Sequence, residues 1–298
     1  MAPKSNEPRS NEPRSNEPRS NEPRSQAGDL NPKNTVQSLA KGFRVLQAFT
    51  AEEPELKLAV VARRAGLDNG TAFRLLETLV MLGYLERFPE TKQYRLTLKP
   101  LELGFNAIAR MDLRTIAQPE LRALVGTVRE AASIGILDRD EVVYVERYHD
   151  GQARLGVDIR VGSRLPAYCT AIGHSILAYL PRTEARRILG MSRRVKVSEH
   201  IPVTLEGIEE QLRDVRAAGY AVSDSEYIAG LRVLSAPILG SDGYAIAALS
   251  VAAPSPRMPL KEFVALTAGP VTASAAKIAH ALSAAGNTVT QSAQKSSK

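Results

Sequence analysis

A tight turn between two short helical segments is the feature that most limits how this chain folds. Residues 57–66 predict a helix that ends at Gly66, a common helix stop. Asp68 or Asn69 then caps a further helix through a side-chain oxygen, and that helix runs to about Leu82. Two helices joined so closely must cross at a steep angle and bury one shared apolar face.

Helical and hairpin patterns flank this turn. The preceding helix carries one apolar stripe with 3-4-3 spacing, formed by Val36, Leu39, Phe43 and Leu46. We expect the two later helices to bury a triangle of apolar residues against it: Val61, Ala65, Leu67, Leu76 and Leu79. After Gly83, residues 84–87 and 93–96 predict two short strands around a polar turn. The order helix, helix, turn, helix, hairpin predicts a winged helix-turn-helix domain over residues 35–98.

The free side of the third helix and the hairpin predict a DNA-binding surface. Asn and Arg side chains read adenine and guanine edges bidentately, while further basic residues suit phosphates. The candidate contacts are Arg63, Arg64, Asn69, Thr71, Phe73, Arg74, Thr78, Arg87, Lys92 and Arg95. A net charge of +7 permits binding to nucleic acid without proving it. The alternative is a small helical domain with a solvated face of mixed charge.

A linker helix is predicted over residues 99–113. Its apolar stripe consists of Leu101, Phe105, Ile108 and Met111. A stripe of this kind outside either core tends to pack on another surface, and a twin subunit is the simplest candidate.

Residues 114–285 predict an α+β domain with an antiparallel sheet flanked by helices. The expected strands are 133–138, 142–148, 154–161, 220–224, 231–238 and 244–252. The expected helices are 120–132, 170–180, 182–190, 204–218 and 259–284. Both chain ends are expected to be disordered tails. Residues 5–24 are four copies of Ser-Asn-Glu-Pro-Arg within a tail of 1–34, and 286–298 are rich in Ser, Gln and Lys.

Composition argues against several classes of protein. The single cysteine excludes an intramolecular disulfide framework and fits a reducing cytoplasm, and the four histidines form no metal-binding pair. No apolar run reaches the length of a membrane helix, and we expect no cofactor. Cys169 and His174 could form a nucleophile and base, but a buried structural cysteine is the simpler interpretation. Asp224 and Glu226, two residues apart on a predicted strand, could form an acid pair, but a position at the edge or rim of the domain is the simpler interpretation.

Several segments resemble the IclR family of bacterial transcription regulators. Residues 37–46 (QSLAKGFRVL) and 70–79 (GTAFRLLETL) resemble its DNA-binding domain, and 162–173 (GSRLPAYCTAIG) and 219–226 (GYAVSDSE) resemble its second domain. The sequence around Cys169 is most similar to that of regulators of aromatic-acid catabolism, such as those of the β-ketoadipate pathway. The resemblance implies a winged helix-turn-helix joined to a GAF-like effector domain. It also implies dimers, or dimers of dimers, on palindromic operators, with small organic acids as effectors. The N-terminal repeat has no counterpart in the family pattern.

The resemblance also implies an effector pocket. Its candidates, together with a neighbouring hydroxyl, are Leu165, Thr170, Ala171, Ile172, Ser223, Leu231, Val233, Ser250 and Ala252. Backbone N–H groups at the start of the 170–180 helix and the nearby hydroxyls would hold a carboxylate, while the apolar side chains enclose the carbon skeleton. Arg164 and Arg232 could add charge, and Tyr168 could stack on an aromatic ring, although a tyrosine packed in the core is the simpler interpretation.

Two other functions compete with this hypothesis. One is a small-molecule enzyme with a GAF-like fold and an accessory domain, which lacks a convergent nucleophile, base and orienting group. The other is an architectural DNA-binding protein without an effector. Neither the operator nor the direction of regulation can be deduced from the residues.

Overall fold

The computed structural model describes residues 36–109, 113–151, 159–199 and 201–285. The chain divides into two compact units, with the boundary between Asn106 and Ala107. The predicted terminal tails, 1–34 and 286–298, lie outside the described residues.

The first unit contains the predicted helix-turn-helix and hairpin. Its elements are α1 (Gln37–Leu46), β1 (Glu55–Lys57), α2 (Leu58–Ala65), α3 (Asn69–Met81), β2 (Leu85–Phe88), β3 (Gln93–Leu96) and α4 (Lys99–Ala109), which crosses the boundary between the units. The strands form an antiparallel sheet in the order β1-β3-β2. The winged helix-turn-helix prediction is therefore confirmed, with β1 as an unpredicted third strand of the wing.

The core of the first unit differs from the prediction in one respect. Val61, Ala65 and Leu76 are fully buried as expected. Three of the four residues of the predicted stripe do not face this core: Val36, Leu39 and Phe43 are 65%, 61% and 52% exposed. The C-terminal end of α1 meets the core at Val45 and Leu46, and Ala48 and Phe49 join the core directly after the helix.

The second unit is built on a six-stranded antiparallel sheet. Its elements are α5 (Leu113–Val128), β4 (Ala131–Asp138), β5 (Glu141–Tyr148), β6 (Arg164–Pro166), α6 (Ala171–Leu177), α7 (Arg182–Met191), α8 (Leu205–Ala218), β7 (Ala221–Asp224), β8 (Leu231–Leu239), β9 (Ala245–Pro254) and α9 (Leu260–Ala284). The strand order is β6-β5-β4-β9-β8-β7. The α+β prediction is confirmed.

Helices cover both faces of this sheet. One core contains Ile172 and Ile176 of α6 with residues of α7 and α8, and the other contains Leu121 of α5 and Phe263 of α9. Alternate residues of each strand supply the two cores, because successive side chains of a strand point to opposite faces. On β9, for example, Ala248 and Ala252 belong to the first core and Leu249 to the second.

Two predicted elements are placed differently. The expected helix over 120–132 begins at Leu113 and ends at Val128, because Arg129 takes a left-handed conformation and the chain then enters β4. Of the expected strand 154–161, residues 154–158 lie outside the described residues, and 159–161 form no strand. Gly162 turns the chain there with φ of +91°, and the strand that pairs with β5 follows as β6.

Within the described ranges, every helix is too short or too polar to cross a membrane.

Candidate DNA-binding surface and effector cavity

The turn between α2 and α3 is held as its residue types predict. Gly66 adopts the left-handed conformation with φ of +63°, where a side chain would be strained. The Asp68 carboxylate accepts a hydrogen bond from the backbone N–H of Thr71 at 2.8 Å and caps α3. The same hydrogen bond holds the pKa of Asp68 below its usual value, so this cap stays ionised. The first turn of α3, which begins at Asn69, is thereby fixed and exposed.

The predicted contacts on α3 share one accessible side of the helix. Asn69, Phe73 and Arg74 are exposed, and Thr71 is half-buried. Thr78 is also exposed, but its hydroxyl donates to the carbonyl oxygen of Arg74 at 2.8 Å. The helix therefore presents polar, basic and aromatic side chains together, a combination suited to base edges and the thymine methyl group.

The predicted basic contacts fall into two groups. Arg64, Arg87 and Arg95 form ion pairs with nearby carboxylates: Arg64 with Glu53, Arg87 with Glu77 at 3.2 Å, and Arg95 with Glu86 at 2.7 Å and Glu55 at 3.2 Å. Arg63, Arg74 and Lys92 make no ion pair or side-chain hydrogen bond within the residues that the structure describes. The second group is therefore the better source of free charge for phosphates or guanine.

A link between α3 and the wing was not foreseen. Glu77 of α3 accepts hydrogen bonds from Arg87 of β2 at 3.2 Å and from the hydroxyl of Tyr94 of β3 at 3.0 Å. Tyr94 is buried, and its burial together with this hydrogen bond raises the pKa of its phenol. The wing is thus fixed relative to the helix that it flanks.

A small cavity lies in the second unit between the sheet and the start of α6. Seven of the nine predicted pocket residues line it: Leu165, Thr170, Ala171, Ile172, Ser223, Leu231 and Val233. Five lining residues were not predicted as pocket residues: Tyr144, Ile159, Cys169, Tyr227 and Ile228. The centre of a water molecule can occupy about 30 Å³ of this cavity. That volume holds one or two waters but not an organic acid. A larger ligand must therefore separate the walls.

Ser250 and Ala252, the other two predicted pocket residues, do not line the cavity. Both lie on β9 in the middle of the sheet. Ala252 pairs with Val233, which is on the wall. Ser250 pairs with Ser133 on one side and Ser235 on the other, and its hydroxyl donates to the carbonyl oxygen of Ser133 at 3.4 Å.

The predicted anion site at the start of α6 is partly occupied by the protein itself. The Thr170 hydroxyl accepts from the backbone N–H of Gly173 at 3.2 Å and donates to the carbonyl oxygen of Pro166 at 3.1 Å. The helix has only seven residues. Its N-terminus is therefore a weak anchor for a carboxylate.

The two arginines considered for the pocket are paired elsewhere. Arg164 contacts Asp138 at 2.6 Å and Glu141 at 2.7 Å. Arg232 is buried, and its guanidinium donates to Asp224 at 2.8 and 2.9 Å and to the carbonyl oxygen of Met258. Neither side chain lines the cavity.

Cys169 and His174 do not form a nucleophile–base pair. Burial raises the pKa of the Cys169 thiol to about 12, so the thiolate is absent at neutral pH. His174 is buried too, and burial lowers its pKa. Its Nε2 lies 2.7 Å from the carbonyl oxygen of Tyr168, so the imidazole serves to fix the wall. No group of His, Cys, Asp and Glu within the described part of the chain is arranged to hold a metal ion.

Comparison with known proteins identifies both units. The family model "IclR helix-turn-helix domain" matches residues 38–89, and "Bacterial transcriptional regulator IclR C-terminal" matches residues 105–280. The HTH-type transcriptional regulator KdgR of Escherichia coli is 34% identical over 78% of this chain and 89% of its own length. The Pca regulon regulatory protein of Pseudomonas putida is 35% identical over 72% of this chain and 73% of its own length. The crystal structure of an IclR homolog complexed with 4-hydroxybenzoate, from Microbacterium hydrocarbonoxydans, is 27% identical with a TM-score of 0.70, covering 83% of this chain and 99% of that one.

Proposed function

This chain belongs to the IclR family of bacterial transcriptional regulators, and we propose that a small organic acid bound in its second unit controls its affinity for an operator. The family is one of DNA-binding regulators rather than enzymes. We further propose that the effector is an acid from aromatic catabolism and that the protein binds DNA as a homodimer.

The cavity beside α6 carries the proposal for an effector. Its apolar side chains, including Leu165, Ile172 and Val233, suit a carbon skeleton, and hydroxyls of Thr170 and Ser223 lie among them. The homologue that was crystallised with 4-hydroxybenzoate, and the Pca regulon regulator, support an acid from aromatic catabolism. Binding shifts the DNA affinity only as far as the acid prefers one conformation of the protein. Because the free cavity is small, a conformation with separated walls is the one that an acid would favour.

DNA binding with and without acids tests this function. Operator sites are selected from random DNA with the full-length protein, and affinities are then measured with protocatechuate, 4-hydroxybenzoate or β-ketoadipate present. We expect at least one acid to change operator affinity several-fold. The variant Val233→Phe should fill the cavity, bind the same operator and lose that response, with its melting temperature measured to confirm folding. If no organic acid changes the operator affinity of the wild-type protein, the effector proposal is wrong.

A homodimer is the proposed form on DNA. A single helix-turn-helix reads one half-site, and two-fold symmetric dimers read palindromes. The exposed apolar face of α1, formed by Val36, Leu39 and Phe43, is a surface on which a second copy would pack. Leu101 of the predicted linker stripe is also exposed, while Phe105, Ile108 and Met111 lie outside the residues whose side chains are described.

A further inference from the structure

Residues 193–197, which follow α7, have backbone groups that the described part of the chain does not use. The chain leaves α7 in an extended conformation at Ser192, with φ of −75° and ψ of 131°, and continues without a helix, turn or bend. Val195 is fixed, because its N–H and its carbonyl oxygen both bind the hydroxyl of the buried Tyr168. By contrast, the backbone N–H and carbonyl groups of Arg194 and Lys196 make no hydrogen bond to any described residue.

The contact of Val195 decides which way its neighbours face. In an extended chain the N–H and C=O of one residue point to the same edge, and those of the next residue point to the opposite edge. Since the groups of Val195 point towards Tyr168 and the core, those of Arg194 and Lys196 point away from it. Backbone groups inside a protein are nearly always paired, so these unpaired groups belong to an open edge. Two donors and two acceptors at alternate positions are what an added strand requires.

The side chains of this segment are apolar and cationic. Val195 and Val197 share one face and are 45% and 48% exposed. The five residues include three cationic side chains and no acidic one. Arg193 is exposed and makes no ion pair with a described residue, while Lys196 pairs with Glu199 at 2.6 Å on the surface, where such a pair adds little stability. An acidic strand with apolar residues opposite the valines therefore complements this edge.

The same charges argue against a second copy of this chain as the occupant. Two such segments side by side would bring together the three cationic side chains of each, and like charges on neighbouring strands are destabilising. Basic residues on an exposed edge are a common means of preventing pairing between identical chains.

We propose that residues 193–197 are a docking edge for an extended acidic segment of another protein, which adds as a strand through the backbones of Arg194 and Lys196. In this register the acidic residues of the partner lie opposite Arg194 and Lys196, and its apolar residues lie opposite Val195 and Val197. The N–H groups of the acidic residues face this protein, and those of the apolar residues face away from it.

Fluorescence anisotropy with the full-length protein and a labelled peptide of alternating valine and glutamate tests the docking edge. We expect this peptide to bind at least about tenfold more tightly than a valine–lysine peptide of the same length, which has the opposite charge. Methylation of the glutamate backbone nitrogens should abolish binding, because it removes the N–H groups that face Arg194 and Lys196. Methylation of the valine nitrogens should leave binding unchanged.

Variants and hydrogen exchange locate the contact. Lys196→Glu and Val197→Glu should each weaken the peptide by at least about tenfold, with melting temperatures measured to confirm folding. Lys261→Glu is the matched charge control, because Lys261 is exposed on α9, which covers the other face of the sheet. It should bind the peptide like the wild type. The peptide should slow exchange at the amides of Arg194 and Lys196 and leave the amide of Val195, which is already bonded, unchanged.

Several results would overturn this inference. Absence of binding by the valine–glutamate peptide, or equal binding by the valine–lysine peptide, would refute an acidic partner. Equal loss of binding in both methylated peptides would refute the register. Protection of the Arg194 and Lys196 amides that rises with protein concentration, without peptide, would assign the edge to a second copy. Because these measurements use neither DNA nor an organic acid, their outcome is independent of the proposed function.

Discussion

The hydroxyl of Tyr168 makes two hydrogen bonds to the backbone of Val195. It donates to the carbonyl oxygen at 2.9 Å and accepts from the amide nitrogen at 3.0 Å. Val195 lies in the irregular segment between α7 and α8, and Tyr168 directly precedes the cavity residues Cys169 and Thr170. One buried ring therefore ties an irregular segment to the cavity wall. Of the two roles considered for Tyr168, packing within the core agrees with this geometry, because its hydroxyl is already bound.

Tyr168→Phe should loosen this segment. Removal of the hydroxyl leaves two backbone groups of Val195 without their partner, and we expect a loss of about 1–3 kcal/mol in the free energy of unfolding. Hydrogen exchange at the Val195 amide should also become faster. Tyr179→Phe is the control, because its exposed hydroxyl makes only a 3.4 Å contact with the carbonyl oxygen of Arg216. Equal unfolding curves for Tyr168→Phe and the wild type would contradict the assignment.

Gly173 is required by a close backbone approach. A Cβ atom there would lie 2.0 Å from the carbonyl oxygen of Ala167, so no side-chain rotation relieves the clash. We expect Gly173→Ala to destabilise the protein by about 3 kcal/mol in denaturant unfolding. Gly126→Ala in α5 is the control: its Cβ meets no atom within 4 Å, and alanine there should stabilise by roughly 0.5–1 kcal/mol. A Gly173→Ala protein as stable as the wild type would refute the proposed clash.

Local signals in the sequence identify most elements correctly. Gly66 and Asp68 mark the turn before α3, and apolar runs bounded by turn residues identify the long strands β4, β5, β8 and β9. β1 was missed because it has three residues and pairs with β3, about forty residues later. The stripe on α1 was misplaced for a different reason. Periodicity shows which residues share a face of a helix, but the packing of the other elements decides whether that face is buried.

The candidate site was predictable in part from the sequence. Four of the seven predicted lining residues lie within the contiguous segment 165–172, and the other three, Ser223, Leu231 and Val233, follow from the resemblance of the segments around β7 and β8. Tyr144 becomes a wall residue only through the sheet order, which brings β5 beside α6, and no local pattern distinguishes it from a core tyrosine. Ser250 was predicted from the resemblance, but the strand register gives its hydroxyl the carbonyl oxygen of Ser133 as a partner.

Base recognition should depend on Asn69 and Arg74. Both are exposed on α3, and Arg74 forms no ion pair within the described chain. We expect Arg74→Ala and Asn69→Ala each to weaken operator binding by roughly 1–3 kcal/mol if the side chain contacts a base. Footprinting and titration against the operator and a scrambled sequence measure this. Unchanged footprints for both variants would exclude these residues from the interface.

Of the three basic residues on the wing, Arg87, Lys92 and Arg95, only Lys92 should contribute a free positive charge to DNA binding. Lys92 sits at the tip with φ of 54° and has no ion-pair partner among the described residues, whereas Arg95 is shared between Glu86 and Glu55. Lys92→Asn retains a residue that tolerates this backbone conformation, and it should reduce the slope of log affinity against log salt by about one. Arg95→Gln should change the slope less. Equal reductions in slope would show that DNA displaces the carboxylates from Arg95.

In the proposed homodimer, the exposed face of α1 would hold the two copies together. Leu39 and Phe43 project from the first unit, and neither contributes to its buried core, so charged substitutions there should not unfold it. We expect the double variant Leu39→Glu/Phe43→Glu to sediment as a monomer at concentrations where the wild type is a dimer. Operator affinity should fall by at least about 100-fold, because the two half-sites are no longer bound by linked domains. Val197→Glu substitutes an equally exposed apolar residue of the second unit, and it should leave sedimentation and operator binding unchanged. A double variant that remains dimeric with an unchanged melting temperature would move the dimer contact away from α1.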